Sequence, residues 1–115
     1  SEPSRSFCCV AEENNGTIVG YLVLLVVFDE AEILSLAVSP EWRRHGIATE
    51  LLCMAWKNLE NREPVVRVTR LEVRKSNREA QAFYSRMGFV AQGVRKKYYA
   101  DGEDALLMVF EHDAV

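Results

Sequence analysis

Long apolar runs are missing from this sequence. The longest, Ile18–Phe28, has about half of the ~20 residues that a membrane-spanning helix needs, and polar turns bound it on both sides. No basic segment followed by an apolar one opens the chain, so nothing marks it for secretion. We therefore expect a cytoplasmic protein with no membrane partner, and we interpret Ile18–Phe28 as a buried strand.

Cysteine motifs and basic tracts are also missing. The three cysteines, Cys8, Cys9 and Cys53, show neither a CxxC nor a Cys/His ligand spacing, which argues against a disulfide framework and against a metal site. The net charge is −3 and no long Lys/Arg tract occurs, so we expect no nucleic-acid partner. Neither GxxxxGK[ST] nor a GxGxxG after a strand is present, which excludes two common nucleotide-binding folds. Any anion must therefore be bound locally.

The pattern of apolar residues predicts one α/β domain. At 115 residues and 49% hydrophobic, the chain can bury one core but is too short for two domains of usual size. The pair Asn15-Gly16 predicts a hairpin, and Ser76 with Glu79 predicts a capping box at the start of the second helix. We predict strands over Phe7–Glu12, Thr17–Val27, Ala31–Val38, Val68–Arg74, Phe89–Tyr99 and Ala105–Phe110, and helices over residues 47–60 and from Ser76 to Gly88. The predicted order is therefore β-β-β-α-β-α-β-β.

The stretch EWRRHGIATELL, residues 41–52, places cations where a helix begins. A helix start carries partial positive charge and normally prefers Ser, Thr, Asp or Asn as its cap. Arg43, Arg44 and His45 would repel that end unless an anion occupied it. A glycine at position 46 would let backbone come close to such an anion. The stretch thus predicts a phosphate site, although a basic surface turn is the alternative.

Three ordered blocks, ILSLAVSPEWRRHGIATELL, LEVRKSNREAQAFYSRMGF and KKYYADGEDALLM, resemble the RimI-type branch of the GNAT acetyltransferase superfamily. The resemblance covers about residues 17–111 and implies a GNAT acyl-CoA N-acyltransferase fold, a mixed, V-shaped β-sheet flanked by helices. Domains of that branch begin with a strand and two helices that have no counterpart here. We therefore expect residues 1–115 to form a single GNAT domain that is truncated at its N-terminus.

The resemblance also implies the cosubstrate and its site. The family binds the pyrophosphate of acetyl-CoA at a Q/R-x-x-G-x-G/A turn, which Arg43, Gly46 and Ala48 match, and pairs the pantetheine arm with backbone at Ala37 and Val38. Asn77 matches an asparagine that contacts CoA, although it could simply start a helix. The implied CoA-binding residues are Leu36, Ala37, Val38, Arg43, Arg44, His45, Gly46, Ile47, Ala48, Thr49, Asn77 and Tyr84.

Two residues are implied to be catalytic. Glu72, in LEVR, matches the family's general base, and Tyr84 matches the tyrosine that protonates the leaving thiolate of CoA. The residues themselves leave other interpretations open, because Glu72 could be an exposed strand residue paired with Arg70 or Arg74, and Tyr84 could be a core tyrosine. A carboxylate in a cleft and a phenol are both groups that enzymes use for proton transfer.

The paired tyrosines Tyr98 and Tyr99 match residues that line the acceptor cleft of the family. Since strand alternation sends them to opposite faces, we expect one ring to contact a peptide, with Tyr99 preferred. Glu103 and Asp104 are expected to shape a turn. His45 and His112 have no evident partner and are expected at the surface.

The leading hypothesis is an acetyl-CoA-dependent transferase that acetylates the N-terminal α-amine of a protein such as a ribosomal protein. Acetylation of lysine or of a small-molecule amine is the first alternative, and a non-catalytic acyl-CoA-binding module is the second. If the chain begins at Ser1, its first strand is an unprotected sheet edge, so we also expect either a homodimer or poor solubility.

Overall fold

The computed structural model describes residues 5–112, which belong to two compact units divided in the chain between Val66 and Arg67. The first unit contains strands β1 (Arg5–Glu12), β2 (Ile18–Val27) and β3 (Glu30–Val38), a 3-10 turn (Pro40–Trp42) and helix α1 (Ile47–Leu59). The second contains strand β4 (Val68–Arg74), helix α2 (Arg78–Arg86) and strands β5 (Val90–Arg95) and β6 (Ala105–Glu111). The predicted order of strands and helices is confirmed.

In the first unit, β1, β2 and β3 form an antiparallel sheet with β2 in the centre. The hairpin predicted at Asn15-Gly16 is confirmed, because the Glu13 amide donates to the Thr17 carbonyl over 2.8 Å. The strand predicted within Ile18–Phe28 is confirmed as β2, but the prediction that it is buried is wrong for one face, on which Tyr21 and Val27 are exposed. Full burial of a leucine such as Leu22 contributes about 1.5–3 kcal/mol to folding.

Helix α1 is held close to the sheet at a glycine. A Cβ on Gly20 of β2 would lie 3.1 Å from the Ala37 oxygen and 3.2 Å from Cγ2 of Ile47, the first residue of α1. The apolar stripe predicted for α1 is buried at Leu51, Leu52, Ala55 and Leu59, with Ile47 buried at its start and Ala48 only partly so. The end of β3 and the start of α1 are thereby fixed within one unit.

Strand β3 contains a bulge. Val23 lies opposite Ser35, whereas the next residue of β2, Leu24, lies opposite Ile33, so Leu34 is the extra residue in β3. A bulge bends a strand and strengthens its local twist. The bend precedes Ala37 and Val38, whose backbone the family resemblance implies as the partner of the pantetheine arm.

In the second unit, β6 pairs antiparallel with β4 on one side and with β5 on the other. The strand predicted over Phe89–Tyr99 is wrong at its C-terminal end, because β5 ends at Arg95. Residues 96–104, the tyrosine loop, fold back on themselves instead. The Lys97 amide donates to Asp104 Oδ1 over 2.9 Å, and the Tyr99 amide donates to the Glu103 carbonyl over 3.1 Å. These local bonds compete successfully with strand pairing.

The capping box predicted for α2 is wrong. Asn77 is the cap, and its Oδ1 accepts a hydrogen bond from the Ala80 amide over 3.1 Å. Ser76 is engaged elsewhere, because its amide donates to Glu103 Oε2 over 2.8 Å. The predicted end of α2 is confirmed: Gly88 has φ 104°, and the Phe89 amide closes the helix on the Tyr84 carbonyl.

Candidate functional site

The turn between β3 and α1 leaves a helix start open. Gly46 caps α1 with φ 78°, a conformation that glycine adopts most readily, and it offers no side chain to the helix amides. The first intrahelical bond runs from the Glu50 amide to the Gly46 carbonyl. The amides of residues 47, 48 and 49 therefore have no acceptor within the helix. A Cβ at Gly46 would meet no atom within 4 Å, so the space beside this capping residue is open.

Cations surround this helix start without neutralising partners. Arg43, Arg44 and His45 are exposed, and among residues 5–112 neither arginine forms an ion pair. Arg44 has φ 65°, which is strained for an L-residue, and the His45 ring centroid lies 5.4 Å from the Trp42 ring. Open amides together with unpaired guanidinium groups match the oxygens of a phosphate or pyrophosphate. The turn therefore fits a phosphate or pyrophosphate group, and its use for CoA stays a prediction.

The Leu36–Val38 segment lies directly before this turn, at the end of β3. Its residues pair with Gly20, Tyr21 and Leu22 of β2, and the Ser39 amide donates to the Val19 carbonyl over 2.8 Å. The Ala37 side chain is exposed, whereas those of Leu36 and Val38 are partly buried. The backbone of this segment and the turn at residues 43–46, called the phosphate turn below, thus lie next to each other in the first unit.

In the second unit, Glu72 is held by an arginine that sequence reasoning missed. Glu72 Oε2 lies 3.0 Å from Nε of Arg95, and the Glu72 side chain is 11% exposed while that of Arg95 is 58% exposed. The alternative from the sequence, an ion pair of Glu72 with Arg70 or Arg74, is wrong, because the partner of Glu72 is Arg95. No local sequence pattern could indicate Arg95 as the partner, because Arg95 lies on β5, which is separated from β4 in the sheet by β6.

One oxygen of Glu72 remains available. Oε1 has no hydrogen-bond partner in the described part of the chain. No side-chain oxygen or nitrogen in that part is both fully buried and unpartnered, so Oε1 must reach the surface. Glu72 can therefore accept a proton, directly or through a water molecule, without leaving Arg95.

Tyr84 combines a buried ring with an accessible hydroxyl. The residue is 7% exposed, and its ring packs edge-on against Phe83 and Phe89 at centroid distances of 5.1 and 5.3 Å. Burial raises the pKa of Tyr84 to about 12. Its hydroxyl bonds to none of residues 5–112. Since no side-chain oxygen among these residues is both fully buried and unpartnered, the hydroxyl reaches the surface. Tyr84 is thus both a core tyrosine and a phenol that stays protonated near neutral pH.

The paired tyrosines do not alternate across a strand, so that prediction is wrong. Both lie in the tyrosine loop with their rings edge-to-face at 5.0 Å. The Arg74 guanidinium lies 4.1 Å from the Tyr99 ring centroid, and that of Arg95 lies 5.8 Å from the Tyr98 centroid. Tyr98 is the more exposed of the two. Which ring contacts a peptide stays a prediction.

Asn77 and the two histidines complete the predicted set. Asn77 is exposed and caps α2 through Oδ1, which leaves its side-chain NH₂ for a ligand. His45 is exposed as predicted, but the prediction for His112 is wrong. Its Nε2 lies 2.8 Å from Oγ1 of the buried Thr69, and burial lowers the pKa of His112. No cluster of His, Cys, Asp or Glu that could hold a metal ion occurs within residues 5–112.

The tyrosine loop is expected to loosen in acid. A backbone bond from Lys97 lowers the pKa of Asp104 below its ordinary value, and hydrogen bonds from Ser76 and then Arg74 lower the pKa of Glu103 below its ordinary value. A lowered folded-state pKa stabilises the fold at higher pH, and this contribution is lost as pH falls through that value. In NMR, the Ser76 and Lys97 amide shifts should titrate below the pH values at which ordinary Glu and Asp carboxyls titrate, respectively. The Phe89 amide, bonded to a carbonyl, is the control. Inflections at or above those pH values would contradict this prediction.

Comparison with known proteins gives the family. The acetyltransferase (GNAT) family model matches residues 1–89. The [ribosomal protein bS18]-alanine N-acetyltransferase of Escherichia coli K12 is 39% identical over 97 residues, which cover 82% of this chain and 64% of that protein. The N-alpha-acetyltransferase of Sulfurisphaera tokodaii is 38% identical over 111 residues, 84% of this chain and 64% of that protein.

A solved structure shows the same fold. The crystal structure of the ribosomal-protein-S18-alanine N-acetyltransferase from Escherichia coli matches with a TM-score of 0.82 at 34% identity, over 100% of this chain and 73% of the other. The chain spans less than two thirds of the length of the curated relatives it matches. No helix within residues 5–112 is long and apolar enough to cross a membrane. The predicted α/β GNAT fold is confirmed, and the chain belongs to the GNAT acetyltransferase family.

Proposed function

We propose that this chain transfers an acetyl group from acetyl-CoA to the α-amine at the N-terminus of a protein. The phosphate turn at residues 43–46 carries the proposal, because its open helix amides and unpaired arginines fit the diphosphate of CoA. The names of the two matched relatives, an alanine N-acetyltransferase of a ribosomal protein and an N-alpha-acetyltransferase, support the choice of acceptor.

In the proposed reaction, the neutral amine attacks the thioester carbonyl carbon, a C–N bond forms and the C–S bond breaks. Glu72 accepts the proton that the amine loses, through Oε1 and a water molecule. The backbone of Ala37 and Val38 receives the pantetheine arm, and Asn77 adds a contact to CoA. The tyrosine loop binds the acceptor peptide through one of its two rings, Tyr98 or Tyr99.

The role of Tyr84 follows from its raised pKa. A phenol with a pKa of about 12 is a weaker acid than a thiol with a pKa near 8.5, so complete proton transfer to the thiolate is unfavourable. We therefore propose that Tyr84 stabilises the departing sulfur mainly by donating a hydrogen bond. Its burial keeps this donor protonated throughout the neutral pH range.

Rates with two peptides should separate the α-amine from lysine as acceptor. A peptide α-amine has a pKa of about 7.7–8.0, whereas that of lysine is about 10.4, so far more of the α-amine is neutral near pH 7. We expect a peptide with a free N-terminus and no lysine to react faster than an N-blocked peptide with one lysine. The rate with the peptide that has a free N-terminus should rise from about pH 6 to 8 and then level off as its amine loses its proton. Faster acetylation of the blocked peptide would contradict the proposal.

A further inference from the structure

We propose that Arg74 is a positioning residue that holds the tyrosine loop in the shape that receives the acceptor peptide, an inference that rests on the proposed function. Arg74 is the last residue of β4 and lies two positions after Glu72 on the same face of that strand. The loop it contacts carries Tyr98 and Tyr99. One strand end thus serves both the proposed base and the acceptor loop.

The Arg74 guanidinium makes three contacts with the loop. Its Nη1 lies 2.9 Å from Asp101 Oδ2 and 2.9 Å from Glu103 Oε1, and its Cζ lies 4.1 Å from the centroid of the Tyr99 ring. A planar guanidinium can bond carboxylates through its edge while its face stacks on an aromatic ring, a geometry that a compact ammonium group does not reproduce. The ring of Tyr99 is therefore fixed by the same group that neutralises the two acids.

Glu103 extends this contact to α2. Its second oxygen, Oε2, accepts from the Ser76 amide over 2.8 Å, directly before the capping residue Asn77. The Lys75 amide also donates to the Asp104 carbonyl over 3.1 Å. The loop is thus attached to the β4–α2 connection at several points, and Arg74 with Glu103 forms the centre of that attachment.

Single exposed ion pairs stabilise proteins little, but a network with shared partners can fix a geometry. The Arg74 contacts bring together one cation, two carboxylates and a ring, and Asp101 Oδ1 also accepts from the Glu103 amide over 3.0 Å. Loss of Arg74 would leave two neighbouring carboxylates without their common cation. We expect the loop to open while β4, α2 and their packing remain.

The test compares Arg74→Gln, Arg74→Lys, Glu103→Gln and the double variant Arg74→Gln/Glu103→Gln with the unaltered protein. Arg74→Gln should raise the KM for an acceptor peptide by about tenfold, while the KM for acetyl-CoA and kcat at saturating peptide change less than about twofold. Arg74→Lys should recover only part of the loss. The double variant should raise the KM for the peptide no more than Arg74→Gln alone does, because both residues act in one network.

A matched control and a readout without turnover complete the test. Arg78→Gln removes the same charge from an exposed position of the same unit and should leave both KM values unchanged. Hydrogen exchange of the free protein should accelerate in residues 97–104 of Arg74→Gln but not in α2. Unchanged exchange in the loop, or equal losses for both substrates, would overturn the positioning role.

The two proposals fail in distinguishable ways. An unaltered protein that binds acetyl-CoA but acetylates no peptide would contradict the proposed function, and the acceptor role of the loop with it. An active Arg74→Gln variant with an unchanged peptide KM would contradict the positioning role alone.

Discussion

Replacement of Glu72 by Gln is expected to lower kcat for acetyl transfer to a peptide by ~10² to 10⁴, the usual contribution of general acid–base catalysis. The change keeps the shape of the side chain but removes the oxygen that can accept the amine proton. Affinity for acetyl-CoA should stay nearly constant, because Glu72 is not among the residues proposed to bind CoA. Steady-state kinetics and calorimetric titration measure the two effects separately.

Two further substitutions make this result specific. Glu79→Gln removes a carboxylate from an exposed position in the first turn of α2 and should leave kcat unchanged. Glu72→Asp keeps the charge and draws the carboxylate back by one methylene, so it should retain part of the activity. Full activity of Glu72→Gln, or an equal loss in Glu79→Gln, would exclude Glu72 as the base.

Replacement of Gly46 by Glu is expected to weaken acetyl-CoA binding by more than about 100-fold. The new side chain would place a negative charge beside the helix amides where the phosphates bind, and like charges in contact cost several kcal/mol. A clash with the protein is not the cause, because a Cβ at Gly46 meets nothing within 4 Å. Calorimetry with acetyl-CoA measures the loss.

Gly16→Glu is the matched control for this effect. Gly16 has φ 90° and equally open surroundings, but it lies in the β1–β2 hairpin. Either substitution should cost about 1–2 kcal/mol of stability, because an L-residue is strained in the left-handed region. Only the change at Gly46 should affect acetyl-CoA. Equal affinities in the two variants would contradict the phosphate site.

The sequence predicted the features that depend on neighbours along the chain. The hairpin at Asn15-Gly16, the buried stripe of α1 and the stop at Gly88 follow from local turn chemistry and helical spacing, and all three are confirmed. The cation-rich start of α1 could also be predicted from neighbouring residues in the sequence. Its electrostatics depend only on the adjacent residues and on the direction of α1.

Errors occurred where distant residues compete for the same groups. Glu103 takes the Ser76 amide, and Asn77 caps α2 in place of the predicted box. Loop contacts end β5 at Arg95 and remove the tyrosines from the strand. The partner of Glu72 comes from β5, on the far side of β6, so no spacing within LEVR could indicate it. Tertiary contacts decide such cases, and a single sequence does not contain them.

The most direct test of the proposed function is tandem mass spectrometry of one peptide that carries both a free N-terminus and an internal lysine. The peptide is incubated with the protein and acetyl-CoA at neutral pH, with the Glu72→Gln variant in parallel. The proposed function predicts an acetyl group on the N-terminal residue, little on lysine, and strongly reduced product with the variant. Acetyl on lysine alone, or no product from the unaltered protein, would contradict it.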